Sequence, residues 1–462
     1  MTSANRNGLL WVLLSIGISI VWGAAIGRGG NAWLDFRAVY AGTRCLIHQH
    51  NPYNVSELER EYLSEDGQRP PDSLNYFQAI VICINIPTTF VVVAPFALLS
   101  WGPAHILWML VTGCAFILAI LLMWNVGASH APQVSTFLAC IFAVNCESIF
   151  AAGNTAGIVV GLCGIAVWCF LENRFVRIGV LLLGLSLAIK PHDVGIIWLY
   201  FLLAGGAHRK RALQSLAIAA ILGLAAVLWV SHVAPHWMQE WDANMATTST
   251  HGGINEPGLN SYAGRSIYTV VDLQAAISIF RDDPRFYNIA SYLVCGSLLL
   301  VWSIWTLRAR FTVHKAWLAL PAAAAFTLLI TYHRPWDAKL VMLAIPACCM
   351  LWTERGRSGK FALSITAMAV LFAGDVPLAA VKTLADSFDT GTTGLGAQLV
   401  TVALRRPEPI ALLAMGAFYL WVYMWHASPL QPVEALSPVI QAQGANSNAL
   451  HALRTGDRQD GH

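Results

Sequence analysis

Long, mostly apolar runs recur along almost the whole chain, and this pattern limits the possible folds more than any single motif. The runs fall at 9–26, 79–99, 104–124, 135–151, 156–171, 178–189, 193–204, 211–231, 287–307, 316–331, 338–352, 361–380 and 410–426. A hydrocarbon core about 30 Å thick takes about 20 apolar residues per helix, and most of these runs approach that length. Inside lipid the backbone must satisfy its own hydrogen bonds, which at this run length means helices. Only 11% of the residues are charged, against about 25% in an average soluble domain. A water-soluble globular enzyme, a disordered chain and a collagen-like fibre are therefore excluded. The expected fold class is all-α, a polytopic integral membrane protein with about 12 transmembrane helices. It forms a single domain over 1–426, followed by a disordered cytoplasmic tail at 427–462 that is rich in Ala, Gln, Asn and Gly.

The few charges orient the chain. Arg174 and Arg177, the run His208 to Arg211, the stretch Arg308 to Lys315, and Arg355, Arg357 and Lys360 lie on short connections. Short basic connections face the cytoplasm. The segment 178–204 has basic flanks at both ends, with Lys190-Pro191-His192-Asp193 in its middle. Proline disfavours helix at the residue before it and breaks the ladder. Two short helices meeting at an outward-facing turn satisfy both observations, whereas one straight helix would strand Lys190 and Asp193 in lipid. Counting from these anchors puts Gly153-Asn154, 232–286, Tyr332 to Asp337 and 381–409 outside, and 27–78 is outside as well if Arg6 is inside. Parity then requires one of 79–99, 104–124 and 135–151 not to cross, and Pro87 and Pro95 single out the first. The run 9–26 is read as a retained helix rather than a cleaved signal, because no small-residue cleavage site precedes Arg28.

On this topology the polar residues beside apolar runs gather on one side. They are Asp35, Asn51, Tyr53, Asn154, Lys190, His192, Asp193, His333, Arg334 and Asp337, from four separate parts of the chain. A site at the outer membrane boundary, roofed by the long 27–78 and 232–286 connections, follows. Other features have plainer readings. Gly157 and Gly161 suggest close helix packing. His48 and His50 read as surface histidines, and Glu57, Glu59, Glu61, Glu65 and Asp66 as a solvated helix face. Thr247 to Gly253 reads as a mobile loop able to close over a substrate. Asp337 has Arg334 or Lys339 as simple ion-pair partners. The ten cysteines form no C-x-x-C with a matching partner and sit mostly in apolar runs, as small buried residues. A net charge of +3 gives no sign of a nucleic-acid partner. No cluster visible along the chain calls for a metal or other cofactor.

The stretch Asp35-Phe36-Arg37-Ala38-Val39-Tyr40, followed by Asn51-Pro52-Tyr53, resembles the first outer loop of the GT87 (DUF2029-type) family. These are polytopic glycosyltransferases of the GT-C fold, with a long first outer loop, that use polyprenyl-phosphate sugars. Gly153-Asn154 before a glycine-rich helix, Arg174 to Arg177, Ala188-Ile189-Lys190-Pro191 and the His208 to Arg211 run are similar to the family's central signature. Tyr332-His333 before a helix carrying Pro346 fits its late outer turn. The resemblance spans roughly 30–350. It departs where the family usually has Gln in place of Asn154 and an aromatic in place of His192.

The resemblance implies an inverting transfer with a polyprenyl-phosphate sugar as donor, a lipid or glycan as acceptor, and mannose as the first expectation for the sugar. Such a site needs one general base and fixed cations for the leaving phosphate. Asp35 matches the catalytic carboxylate that GT-C enzymes hold early in the first outer loop. Lys190, His333 and Arg334 are expected on the donor phosphate, with Asn154, His192, Asp193, Tyr40 and Tyr53 orienting substrate. Membrane lipids are the surroundings, and the expected location is the bacterial cytoplasmic (inner) membrane with the site facing the periplasm or cell exterior. The alternative class is a membrane transporter or lipid flippase, whose broken helices the Lys190-Pro191 junction resembles.

Overall fold

A computed structural model describes residues 3–27, 34–65, 80–258, 261, 270–354, 356–373, 380, 383 and 394–427. The expected tail after Ala427, and parts of the three long outer connections, lie outside the described residues. Within them the chain is helical and contains no strand. The helices are α1 (Ser3–Gly27), α2 (Leu34–Ile47), α3 (Val55–Ser64), α4 (Pro87–Ala97), α5 (Trp101–Ala128), α6 (Pro132–Val144), α7 (Glu147–Ala152) and α8 (Thr155–Leu171). There follow α9 (Val176–Ile189), α10 (Pro191–Leu203), α11 (Gly206–Val233), α12 (Trp237–Ser249), α13 (Leu273–Ile277), α14 (Pro284–Arg308) and α15 (Val313–Ile330). A 3-10 turn (Asp337–Leu343) leads into α16 (Ala344–Thr353), and α17 (Arg357–Phe372), α18 (Leu395–Arg405) and α19 (Pro407–Ala427) complete the set.

Seven helices are long and apolar enough to cross a membrane: α1, α5, α6 with α7 taken as one, α11, α14, α15 and α19. The protein is thus a multi-pass membrane protein. The remaining apolar helices are shorter, so the expected number of crossings is not fixed by helix length. In the run 79–99 the helix is confined to the 11 residues of α4, which starts at Pro87. At about 1.5 Å per residue it falls well short of a bilayer core. The expected break in 178–204 is present: α9 ends at Ile189, Lys190 leaves the helical conformation (φ −143°, ψ 83°), and Pro191 opens α10.

Helices that are apolar on every side belong either in the interior or against lipid. α8 and α15 are the interior ones; nearly every side chain of each is buried. α8 packs between α5 and α9, while α15 is covered by α19, α10 and α14. Close approach of α8 to α5 depends on Gly161, where an added Cβ would sit 2.8 Å from the Phe116 backbone nitrogen. That is the packing role expected of the Gly157/Gly161 pair. α11 and α14 leave most of their apolar surface uncovered, as helices against lipid do. Eight of the ten cysteines are buried, Cys140 is half-buried and Cys114 is exposed on α5.

Candidate active site

Four interruptions of the helical bundle meet at one place. They are the start of α2, the α7–α8 junction, the α9–α10 break and the segment after α15. Each carries polar residues that a continuous helix could not have tolerated in lipid.

Asp35 lies in the first turn of α2 and is half-buried. Its position is set by its neighbours. Phe36 stacks on Trp108 of α5, with ring centroids 4.7 Å apart and planes 8° apart. The Trp108 indole N–H donates to the Gly153 carbonyl at 2.9 Å. Gly153 sits in the left-handed region (φ 64°), which lets the chain turn between α7 and α8. Asn154 then does two jobs. Its Oδ1 accepts from the Ala156 N–H at 2.8 Å and caps α8, while its Nδ2 donates to Asp35 Oδ2 at 2.8 Å. Burial raises the Asp35 pKa above its ordinary value of 3.8; the Asn154 hydrogen bond and the charges of Arg334 and Lys190 oppose this without cancelling it.

Lys190 caps the break and pairs with two carboxylates. Its Nζ lies 3.2 Å from Asp193 Oδ2 and bonds Asp337 Oδ1. Asp337 Oδ2 accepts from the Arg334 backbone N–H at 2.7 Å. Arg334 is buried; its guanidinium binds the Tyr332 hydroxyl and donates to the Ile254 carbonyl at 2.7 Å. The Val271 N–H donates to the His333 carbonyl at 2.9 Å. Two points of the 234–283 connection are thereby stitched over the cluster. His192 Nε2 and His333 Nε2 both approach Asp193 Oδ1, at 3.2 and 3.5 Å. Among the described residues, these three side chains place ligand atoms within 4.8 Å of one another, a spacing able to hold a metal ion.

The structure therefore gathers Asp35, Asn154, Lys190, His192, Asp193, His333 and Arg334. It does not bring in Tyr40 or Tyr53 through any described contact. The Tyr40 hydroxyl donates to the Leu99 carbonyl at 2.8 Å, and that of Tyr53 to the Asn85 carbonyl at 2.8 Å. Asn51 is likewise occupied: Oδ1 accepts from the Tyr53 N–H at 2.9 Å and Nδ2 donates to Glu240 Oε2 at 2.5 Å. Asp337, read from sequence as a partner of Arg334 or Lys339, instead shares Lys190 with Asp193. Trp108 and the Ile254–Glu256 segment were not legible as part of the site. Nothing in a lipid-spanning apolar run marks one tryptophan as a strut.

Two surface readings need correction. The acidic face of α3 is not simply solvated, because Glu61 is buried and bonds Arg44 Nε and His48 Nδ1, both at 3.1 Å. His48 and His50 are partly exposed, and each leans on that carboxylate. The stretch 247–253 is not a free flap either. Thr247 to Ser249 finish α12, and Glu256 ties the turn by accepting from the Gly252 N–H at 2.6 Å and pairing with His251 at 2.7 Å.

The sequence model of glycosyltransferase family 87 matches residues 84–331, just over half of the chain. Nothing among curated proteins or solved structures matches it significantly. The matched stretch carries the capped α7–α8 junction and the α9–α10 break, and it ends at Thr331, two residues before His333. The chain belongs to glycosyltransferase family 87 and is a glycosyltransferase, class EC 2.4, built as a multi-pass membrane protein.

Proposed function

We propose that the protein transfers a sugar, with mannose the first expectation, from a polyprenyl-phosphate donor to a lipid or glycan acceptor at the outer face of a bacterial cytoplasmic membrane. The observation that carries this reading is the pairing of one amide-oriented carboxylate, Asp35, with two nearby cations, Lys190 and Arg334. The acceptor hydroxyl gives its proton to Asp35 as its oxygen bonds the anomeric carbon. The carbon–oxygen bond to phosphate breaks on the opposite face, and its electron pair leaves with the phosphate. One base and no enzyme nucleophile give inversion. The departing phosphate needs no protonation, but its growing charge needs fixed positive groups, which Lys190 and Arg334 supply. Burial of the Asp35 carboxyl suits it to the proton-accepting role, since a raised pKa makes the carboxylate a stronger base.

The test is transfer of labelled mannose from a polyprenyl-phosphate donor by purified Asp35→Asn protein, alongside donor binding. Transfer is expected to fall at least about 100-fold, the usual contribution of a general base, with donor affinity retained. Undiminished transfer by the folded variant overturns the assignment. Lys190→Gln is expected to weaken donor binding itself.

A further inference from the structure

We propose that His192, Asp193 and His333 bind one divalent transition-metal ion, of the zinc class, at the edge of the Lys190–Asp337 ion pair. Geometry comes first. A tetrahedral zinc ion with bonds of about 2.0–2.1 Å holds neighbouring ligand atoms roughly 3.3 Å apart. Asp193 Oδ1 stands 3.2 Å from His192 Nε2 and 3.5 Å from His333 Nε2. Two imidazoles and one carboxylate select zinc, cobalt, iron or manganese rather than magnesium or calcium.

The hydrogen bonding of His333 points the same way. Its Nδ1 lies 2.8 Å from the Thr331 carbonyl oxygen, which can only accept. Nδ1 therefore carries a proton, and in the neutral ring Nε2 presents its lone pair to Asp193. His333 Nε2 and Asp193 Oδ1 face each other at 3.5 Å, longer than a well-formed hydrogen bond, although both residues are at least 99% buried. A buried carboxylate oxygen facing an imidazole nitrogen needs positive charge between them, supplied by a proton on Nε2 or by a metal ion. The remaining oxygen, Oδ2, pairs with Lys190, leaving Oδ1 available. A carbonyl on the far nitrogen of the histidine and a donor on the far oxygen of the carboxylate are the usual outer partners of metal ligands.

The charge balance supplies the reason for an ion. Asp35, Asp193 and Asp337 outnumber Lys190 and Arg334 within the cluster. A dication there offsets the carboxylates and adds to Lys190 and Arg334 in holding a phosphate. Three protein ligands leave a fourth position open, and His192 is half-exposed, so that position is reachable. The phosphate oxygen is its occupant; this part rests on the glycosyl-transfer reading above.

The experiment uses full-length protein in detergent, stripped with chelator and titrated with Co(II) as a visible probe. One Co(II) per chain is expected, with the absorption of a four- or five-coordinate site, displaced by Zn(II). His192→Phe alters a half-exposed ligand and should fold normally by thermal melting, yet lose roughly 100-fold in cobalt affinity. No cobalt spectrum in wild type, or equal affinity in His192→Phe, overturns the site and leaves His333 as an imidazolium paired with Asp193. Farnesyl phosphate should perturb the cobalt spectrum; a spectrum indifferent to it overturns the phosphate role. Asp35→Asn should keep the cobalt spectrum while losing transfer, which separates failure of the metal site from failure of the catalytic assignment.

Discussion

At the residue scale the balance of forces on Asp35 has a measurable signature. Burial raises its pKa, and the Asn154 amide is the largest influence opposing this. A base must be ionised to work, so the transfer rate should fall with acid at a higher pH than an ordinary aspartate with pKa 3.8 would give. Asn154→Ala removes a donor to the charged form. The acid limb of the pH–rate profile should then move further up, by about one pH unit for about 1.4 kcal/mol of lost stabilisation. A profile that stays in place while the rate falls would show that Asn154 only caps α8. Asp35 was legible in the sequence because an acidic residue follows an uncharged run and precedes a Phe-Arg-Ala-Val-Tyr stretch. Its partner was legible only as a polar residue beside a glycine. Which nitrogen faces which carboxylate depends on two helices 119 positions apart in sequence, and no local pattern encodes that.

At the scale of the element, α2 and α3 form a small polar hairpin with its own ion-pair core. Burial opposes charge on Glu61, yet His48 and Arg44 outweigh it and hold the carboxyl below its ordinary value of 4.5. A carboxylate whose pKa is depressed in the folded state adds stability above its unfolded pKa. That contribution is lost as pH falls through the folded value. Glu61→Gln should therefore lower stability at neutral pH by about 1.5–3 kcal/mol. The deficit should shrink in acid, as measured by thermal melting in detergent across pH. Sequence gave this face the wrong environment. Alternating acids on a short helix look solvated, and only the tertiary placement of Arg44 and His48 shows otherwise. The α9–α10 break was readable in full, because Lys-Pro-His-Asp cannot continue a lipid-embedded helix. Gly161→Leu tests the other legible packing element. Its side chain meets the Phe116 backbone, so a loss on the order of 1–3 kcal/mol and a lower yield of folded protein are expected, whereas Gly102, with open space around it, should accept alanine.

At the scale of the whole molecule, the all-helical membrane class followed from run length and charge scarcity. The number of crossings did not, because helices of 11 to 17 residues sit between membrane span and interior packing. The polar residues converge because the interruptions do: each break in a hydrophobic helix must find partners, and other breaks supply them.

The near-complete burial of the cysteines opens a direct route to sidedness. With eight thiols enclosed, and with half-buried Cys140 and exposed Cys114 both within apolar helices, the native chain is nearly silent towards a membrane-impermeant maleimide. A single reporter thiol introduced at the exposed Ser249, next to the turn tied by Glu256, stands out against that background without prior cysteine removal. Labelling of Ser249→Cys in intact cells places the roof of the site outside. Labelling only after permeabilisation reverses the proposed orientation.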